Sequence, residues 1–188
     1  MHQVLTKTLL LLAIVLAVVS LATPDWVQMT SNNGNKMNVG LFQTCLKDGS
    51  GHDKCSTLTT DSDKSKDIEA TRGLMIAAAV MLVLSLGCEF IPVKDFTMCP
   101  LVSAALLVLG LGLMVAALSV YGVKVYKPMH DTLGGNMTYG YSYWLGVASL
   151  VLAVLAGVSG VLTQSHGKQL RKGLRPPKLV RQTARSNK

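Results

Sequence analysis

The chain has 188 residues, 49% hydrophobic and only 15% charged, with a mean hydropathy of +0.39 and a formal net charge of +8. A soluble domain carries nearer a quarter charged residues, and here long uncharged stretches alternate with short charged ones, which excludes an ordinary soluble domain and points to one membrane domain. The +8 equals the charge of the last 21 residues alone, so it does not argue for nucleic acid, which would need a folded basic surface.

The first apolar stretch covers residues 4–22, uncharged from Thr8 onward. At about 1.5 Å per residue it can cross a hydrocarbon core of about 30 Å as a helix. A second reading is a cleaved signal peptide, with Lys7 in its charged region and Ser20-Leu21-Ala22 as the cleavage site. Its apolar run is longer than the usual core of such a peptide.

Residues 23–72 form a long polar loop with six Lys/Arg and seven acidic residues. Trp26 to Thr30 read as a strand, and Asn33-Gly34 as a hairpin turn. Lys36 to Leu46 alternate apolar Met37, Val39 and Leu41 with polar or small residues, the pattern of one half-exposed strand. Asp48-Gly49-Ser50-Gly51 make a further turn, Cys55 to Thr60 a third strand, and Asp61 to Ala70 a short helix leading to the second span. So small a sheet is marginal alone. A Cys45–Cys55 bridge in an oxidising compartment would add about 2–3 kcal/mol; the alternative is two free thiols.

The remaining spans are residues 73–91, 101–123 and 143–162, which makes an all-α membrane protein: a four-helix transmembrane bundle with a small extracellular antiparallel sheet. Residues 1–165 form the membrane domain and residues 166–188 a basic cytoplasmic tail. Residues 168–188 hold eight Lys/Arg and no acid, and short basic flanks stay in the cytoplasm. That places both termini inside, the loops at 23–72 and 124–142 outside, and the chain in the plasma membrane. Asn136-Met137-Thr138, in the second outer loop, is an N-glycosylation pattern with Asn136 as acceptor. Cys88 and Cys99 flank the short inner loop as candidates for palmitoylation, with unmodified thiols the alternative. Nine of the ten aromatic residues lie near helix ends, where amphipathic rings anchor at the headgroup level.

The candidate chemistries are few. His2, His52, His130 and His166 are scattered without metal-ligand spacing, and no phosphate loop or nucleophile motif is present, so the expectation is no enzyme, no metal and no cofactor. No helix centre carries an ionisable residue, which disfavours a transporter. Acidic and basic residues interleave in the first loop, so no charge selectivity is assigned. Small residues recur at four-residue spacing, as in Ala13/Ala17, Gly73/Ala77, Gly112/Ala116, Ala153/Gly157 and Ala156/Gly160; packing inside the bundle is the preferred reading, lateral self-association the other. The tail suits anionic lipid, and Pro176-Pro177 argues against a continuous helix in it.

Trp26, Gly40-Leu41-Phe42, Cys45, Cys55 and Arg72, in that order, resemble the signature of the claudin superfamily, a Trp, then Gly-Leu-Trp, two cysteines and a basic residue at the second helix. That superfamily includes claudins, the peripheral myelin and epithelial membrane proteins, the lens fibre membrane protein and calcium-channel gamma subunits. Glu69 to Met75 resemble its approach to helix two. Tyr141 to Gly146 resemble its approach to helix four, closest to the myelin and epithelial branch. The resemblance covers about residues 4–165 and implies a left-handed bundle under an extracellular sheet, with Trp26 and the Gly40-Leu41-Phe42 edge packing the sheet onto bilayer and bundle. It implies cell–cell contact, junction or barrier formation through association with itself or related four-helix proteins in cis and trans, or the role of an auxiliary subunit on a channel or receptor. Phe42 stands where the motif has Trp, and loses the indole donor. The tail ends Arg185-Ser186-Asn187-Lys188 and lacks the hydrophobic terminus that scaffold domains capture.

Overall fold

The computed structural model describes residues 2–30, 36–47, 53–57, 63–90, 99–127, 130 and 136–173. Four helices dominate: α1 (His2–Ala22), α2 (Asp63–Phe90), α3 (Cys99–Val120) and α4 (Tyr141–Gly173). Each contains a segment long and apolar enough to cross a membrane, Val4–Ala22, Lys66–Phe90, Leu101–Tyr126 and Tyr141–Thr163. Their outward faces are apolar, as in Leu11, Val80, Val108 and Val154. Hydrocarbon is the only surroundings in which that exposure costs nothing.

The bundle is built from two helix pairs. α1 packs chiefly on α4 and α2 on α3. Small buried residues allow the close approach: Ala13 and Ala17 of α1 meet a face of α4 that contains Ala153 and Ala156. Serines and threonines then bond across the seams. Ser149 Oγ donates to Ala13 O at 2.6 Å, Thr6 and Ser159 hydroxyls pair at 2.9 Å, and Ser20 Oγ donates to Ser142 O at 2.7 Å. Between α2 and α3, Ser85 and Ser103 exchange hydrogen bonds reciprocally, each hydroxyl reaching the other's carbonyl. Without water to compete, such pairs set helix register.

At one end sits a five-stranded antiparallel sheet, in the order β4-β3-β2-β1-β5. Its strands are β1 (Val27–Thr30), β2 (Lys36–Val39), β3 (Gln43–Lys47), β4 (Asp53–Thr57) and β5 (Asn136–Tyr139). β1 pairs with β5 in the register Val27 to Tyr139, so the two segments on the sheet side of the bundle close into one structure. Met137 is buried and joins Val27 and Val39 in the core, while Thr138 beside it is exposed.

Several expectations change. The run Lys36 to Leu46 is two strands, because Gly40-Leu41-Phe42 forms the hairpin connection between them: Gly40 N–H bonds Gln43 O at 2.9 Å and Leu41 turns into the core. The strand expected from Cys55 to Thr60 is described over Asp53–Thr57, and residues 58–60 lie outside the described residues. The short helix expected before the second span is continuous with it from Asp63, since Ile68 and Thr71 are buried on the same helix face as Met75. α4 runs to Gly173, so the first part of the basic tail is helical; Pro176-Pro177 lie outside the described residues, as do the turns at 31–35 and 48–52. Of the small pairs, Gly73 and Gly112 have open space beside their Cα atoms and face away from the bundle.

Candidate interaction surface

The sheet is seated on the bundle by Trp26. Its backbone N–H bonds Val39 O at 3.0 Å, its carbonyl accepts from Gly140 N–H at 2.9 Å, and its indole Nε1 donates to Ser20 O at 2.8 Å. One residue thus ties β2, the segment before α4 and the last turn of α1. The Trp26 side chain is completely buried, 4.9 Å from the Tyr121 ring and 6.1 Å from that of Tyr143. The expected headgroup anchors therefore include two core residues, Trp26 and Tyr121. A ring anchors at the interface only where its polar atom reaches water, and the Trp26 donor is already bonded inside the protein.

Tyr121 opens a six-residue π-helical turn, Tyr121–Tyr126, that continues α3. Wider turns of this kind re-aim side chains. Here Tyr126 stacks on Tyr139 at 3.9 Å, and Tyr139 on Tyr143 at 4.6 Å. The Tyr126 hydroxyl donates to Met137 O at 3.2 Å, which covers part of the outer edge of β5. Burial, with Tyr143 and Tyr126 adding to it, holds the Tyr139 phenol above the ordinary tyrosine range, so it stays neutral at physiological pH. Sequence reasoning missed this column and the strand that carries Tyr139. The alternation of Met137 and Tyr139 with Asn136 and Thr138 was its only signal, in a run of four residues.

The hairpin tip is held from α2. Arg72 donates from Nε to Leu41 O at 3.1 Å and from a terminal nitrogen to the same oxygen, while its guanidinium lies 4.6 Å over the Phe42 ring. Leu41 is fully buried and Phe42 is 39% exposed. The structure thus brings Trp26, Gly40, Leu41, Phe42 and Arg72 together around the sheet's seat. Gly40 is needed at its site, since a Cβ there would stand 2.4 Å from Pro24 Cα.

At the far side, Cys45 and Cys55 are opposite residues of β3 and β4, joined by a disulfide with Cα atoms 4.1 Å apart. So short a separation marks a non-hydrogen-bonded pair of an antiparallel ladder. The backbone N–H and C=O of Cys55 therefore point away from β3, and by alternation so do those of Asp53 and Thr57. No described residue pairs with that edge. Asn136 begins β5 opposite Thr30. Cys88, a free thiol, lies half-buried near the end of α2, and Cys99 begins α3. Of the histidines only His130 has a described side chain; it stacks loosely on Tyr126 at 6.0 Å. Among the described residues no group of His, Cys, Asp or Glu could hold a metal ion.

Four apolar helices, joined at one end by a disulfide-clamped sheet drawn from the α1–α2 and α3–α4 connections, define a multi-pass membrane protein of the tetraspan type. The chain belongs to the PMP-22/EMP/MP20/Claudin family, whose model matches residues 1–159. A search of curated proteins finds no match.

Proposed function

We propose that this protein mediates or organises cell–cell contact at the plasma membrane, with the sheet outside and both termini in the cytoplasm. The orientation is supported by the eight basic residues of 168–188 against the mixed charge of 23–72, and by the disulfide, which needs an oxidising compartment. In this reading residues 1–165 are the membrane domain, residues 166–188 the cytoplasmic tail, and Asn136 a glycan acceptor.

The observation that carries the proposal is the outer edge of β4. Its outward backbone groups at Asp53, Cys55 and Thr57 form a template for another extended segment, clamped to β3 by the bridge. The partner in this reading is a like protein, on the same or the facing cell. A second reading, an auxiliary subunit on a channel or receptor, is favoured by the open faces at Gly73 and Gly112, which admit close approach of a neighbouring helix.

A mixed-cell assay separates the two. Cells without junction strands express the protein with one of two coloured tags. Enrichment at borders between two expressing cells supports adhesion, and freeze-fracture strands there support a barrier. Uniform surface distribution of folded protein sinks adhesion, and co-purification with a larger multi-pass protein then supports the subunit reading.

A further inference from the structure

At the end of the bundle opposite the sheet, α1 and α2 part. Because α1 packs on α4 and α2 on α3, the α1/α2 seam is looser. A cleft of about 280 Å³ opens there, lined by Val4, Lys7, Thr8, Leu11, Leu86 and Phe90. Its walls are apolar, and Val4, Leu11 and Phe90 are largely exposed toward the surroundings of the bundle. Its one cation is Lys7, three residues inside the apolar span that starts at Val4, hence about 5 Å from the span's end.

Lys7 Nζ lies 4.5 Å from the centroid of the Phe90 ring. That contact directs the ammonium into the cleft and satisfies none of its three N–H donors. Among the described residues Lys7 has no hydrogen bond and no ion pair within 4 Å; Glu89, the acid at this end of α2, lies close enough to interact with it electrostatically without a direct contact. A half-buried ammonium at this depth needs acceptors. The Thr6–Ser159 bond sets α4 beside α1 at this same end, and α4 then continues to Gly173. That continuation carries the basic residues Lys168, Arg171 and Lys172. With Lys7 they outnumber Glu89, the one acid among the described residues at this end.

We propose that this cleft binds an anionic phospholipid, with the headgroup phosphate accepting from Lys7 and an acyl chain lying along Leu11 and Leu86. The site is distinct from the sheet and independent of the adhesion reading. The apolar walls match a lipid tail, Lys7 is near enough to the span's end for its side chain to reach a headgroup phosphate, and Phe90 lies against the ammonium.

The test is native mass spectrometry of the full chain, reconstituted with equal amounts of phosphatidylserine and phosphatidylcholine. The wild type should retain phosphatidylserine in preference. Lys7→Gln should lower that retention about fivefold, as expected for one interfacial lysine, while Lys7→Arg keeps it. Lys124→Gln, at the sheet end, should leave it unchanged. Equal retention by Lys7→Gln and wild type, or equal retention of the two lipids by the wild type, overturns the proposal.

Discussion

The indole Nε1 of Trp26 donates a hydrogen bond to the carbonyl oxygen of Ser20 at 2.8 Å, in a site where both residues are fully buried. Ser20 lies in the last turn of α1, where carbonyls lack helical partners. The indole thus caps the helix that the strand follows. Trp26→Phe keeps the ring and removes the donor. The Ser20 carbonyl keeps only the long 3.5 Å bond from the Thr23 hydroxyl, so the change should cost about 1 kcal/mol, the usual net worth of one hydrogen bond. Thermal unfolding in micelles reads this directly, and an unchanged midpoint would remove the bond from the account of stability.

Gly140 separates β5 from α4 at a point where backbones touch. A Cβ there would fall 1.9 Å from Asp25 O, with the Trp26 backbone just behind it. Backbone atoms cannot swing aside as a side chain can, so Gly140→Ala should destabilise by about 3 kcal/mol and hold the protein inside the cell. Gly73→Ala meets open space and adds helix propensity, for a gain of up to about 1 kcal/mol. Surface labelling of the two variants compares them, and equal surface levels would contradict the close approach at Gly140.

The Tyr121 hydroxyl is buried and finds no hydrogen-bond partner in the described structure, while its ring packs on Trp26. Tyr121→Phe removes the unmet polar group and keeps the ring. The expected outcome is neutral to stabilising, by up to about 1 kcal/mol. A drop in melting temperature would mean that the hydroxyl has a partner that matters.

The bridge of Cys45 to Cys55 closes a loop with a sequence separation of 10. Cys45→Ser should lower stability by about 2–3 kcal/mol, and the strand edge it anchors should loosen first. Hydrogen exchange on β3 and β4 measures this. Protection equal to that of the wild type would show that pairing alone holds β4.

The positions of the four spans follow from the sequence, because hydrocarbon thickness sets the length of an uncharged helix and leaves little freedom in where it lies. The signature residues were also legible, and the resemblance implied that they seat the sheet, but not by which contacts. Gly40-Leu41-Phe42 has the alternation of a strand and is a turn, because Leu41 gains more by entering the core than by continuing the ladder. Trp26 and Tyr121 lie where interfacial anchors lie, and a sequence does not say whether a ring at that depth faces lipid or protein.

Local pattern therefore determined which segments enter the membrane and which cysteines stand where a bridge can form. Only the tertiary structure decided that the segment before α4 supplies a fifth strand, that Trp26 is a core residue, and that Lys7 lies over Phe90 in a cleft between α1 and α2. The reason is one of distance: β5 and β1 are separated by more than a hundred residues of chain, and Lys7 and Phe90 by more than eighty. Such pairs are set by how two helix pairs pack side by side, and no short window of sequence contains that information.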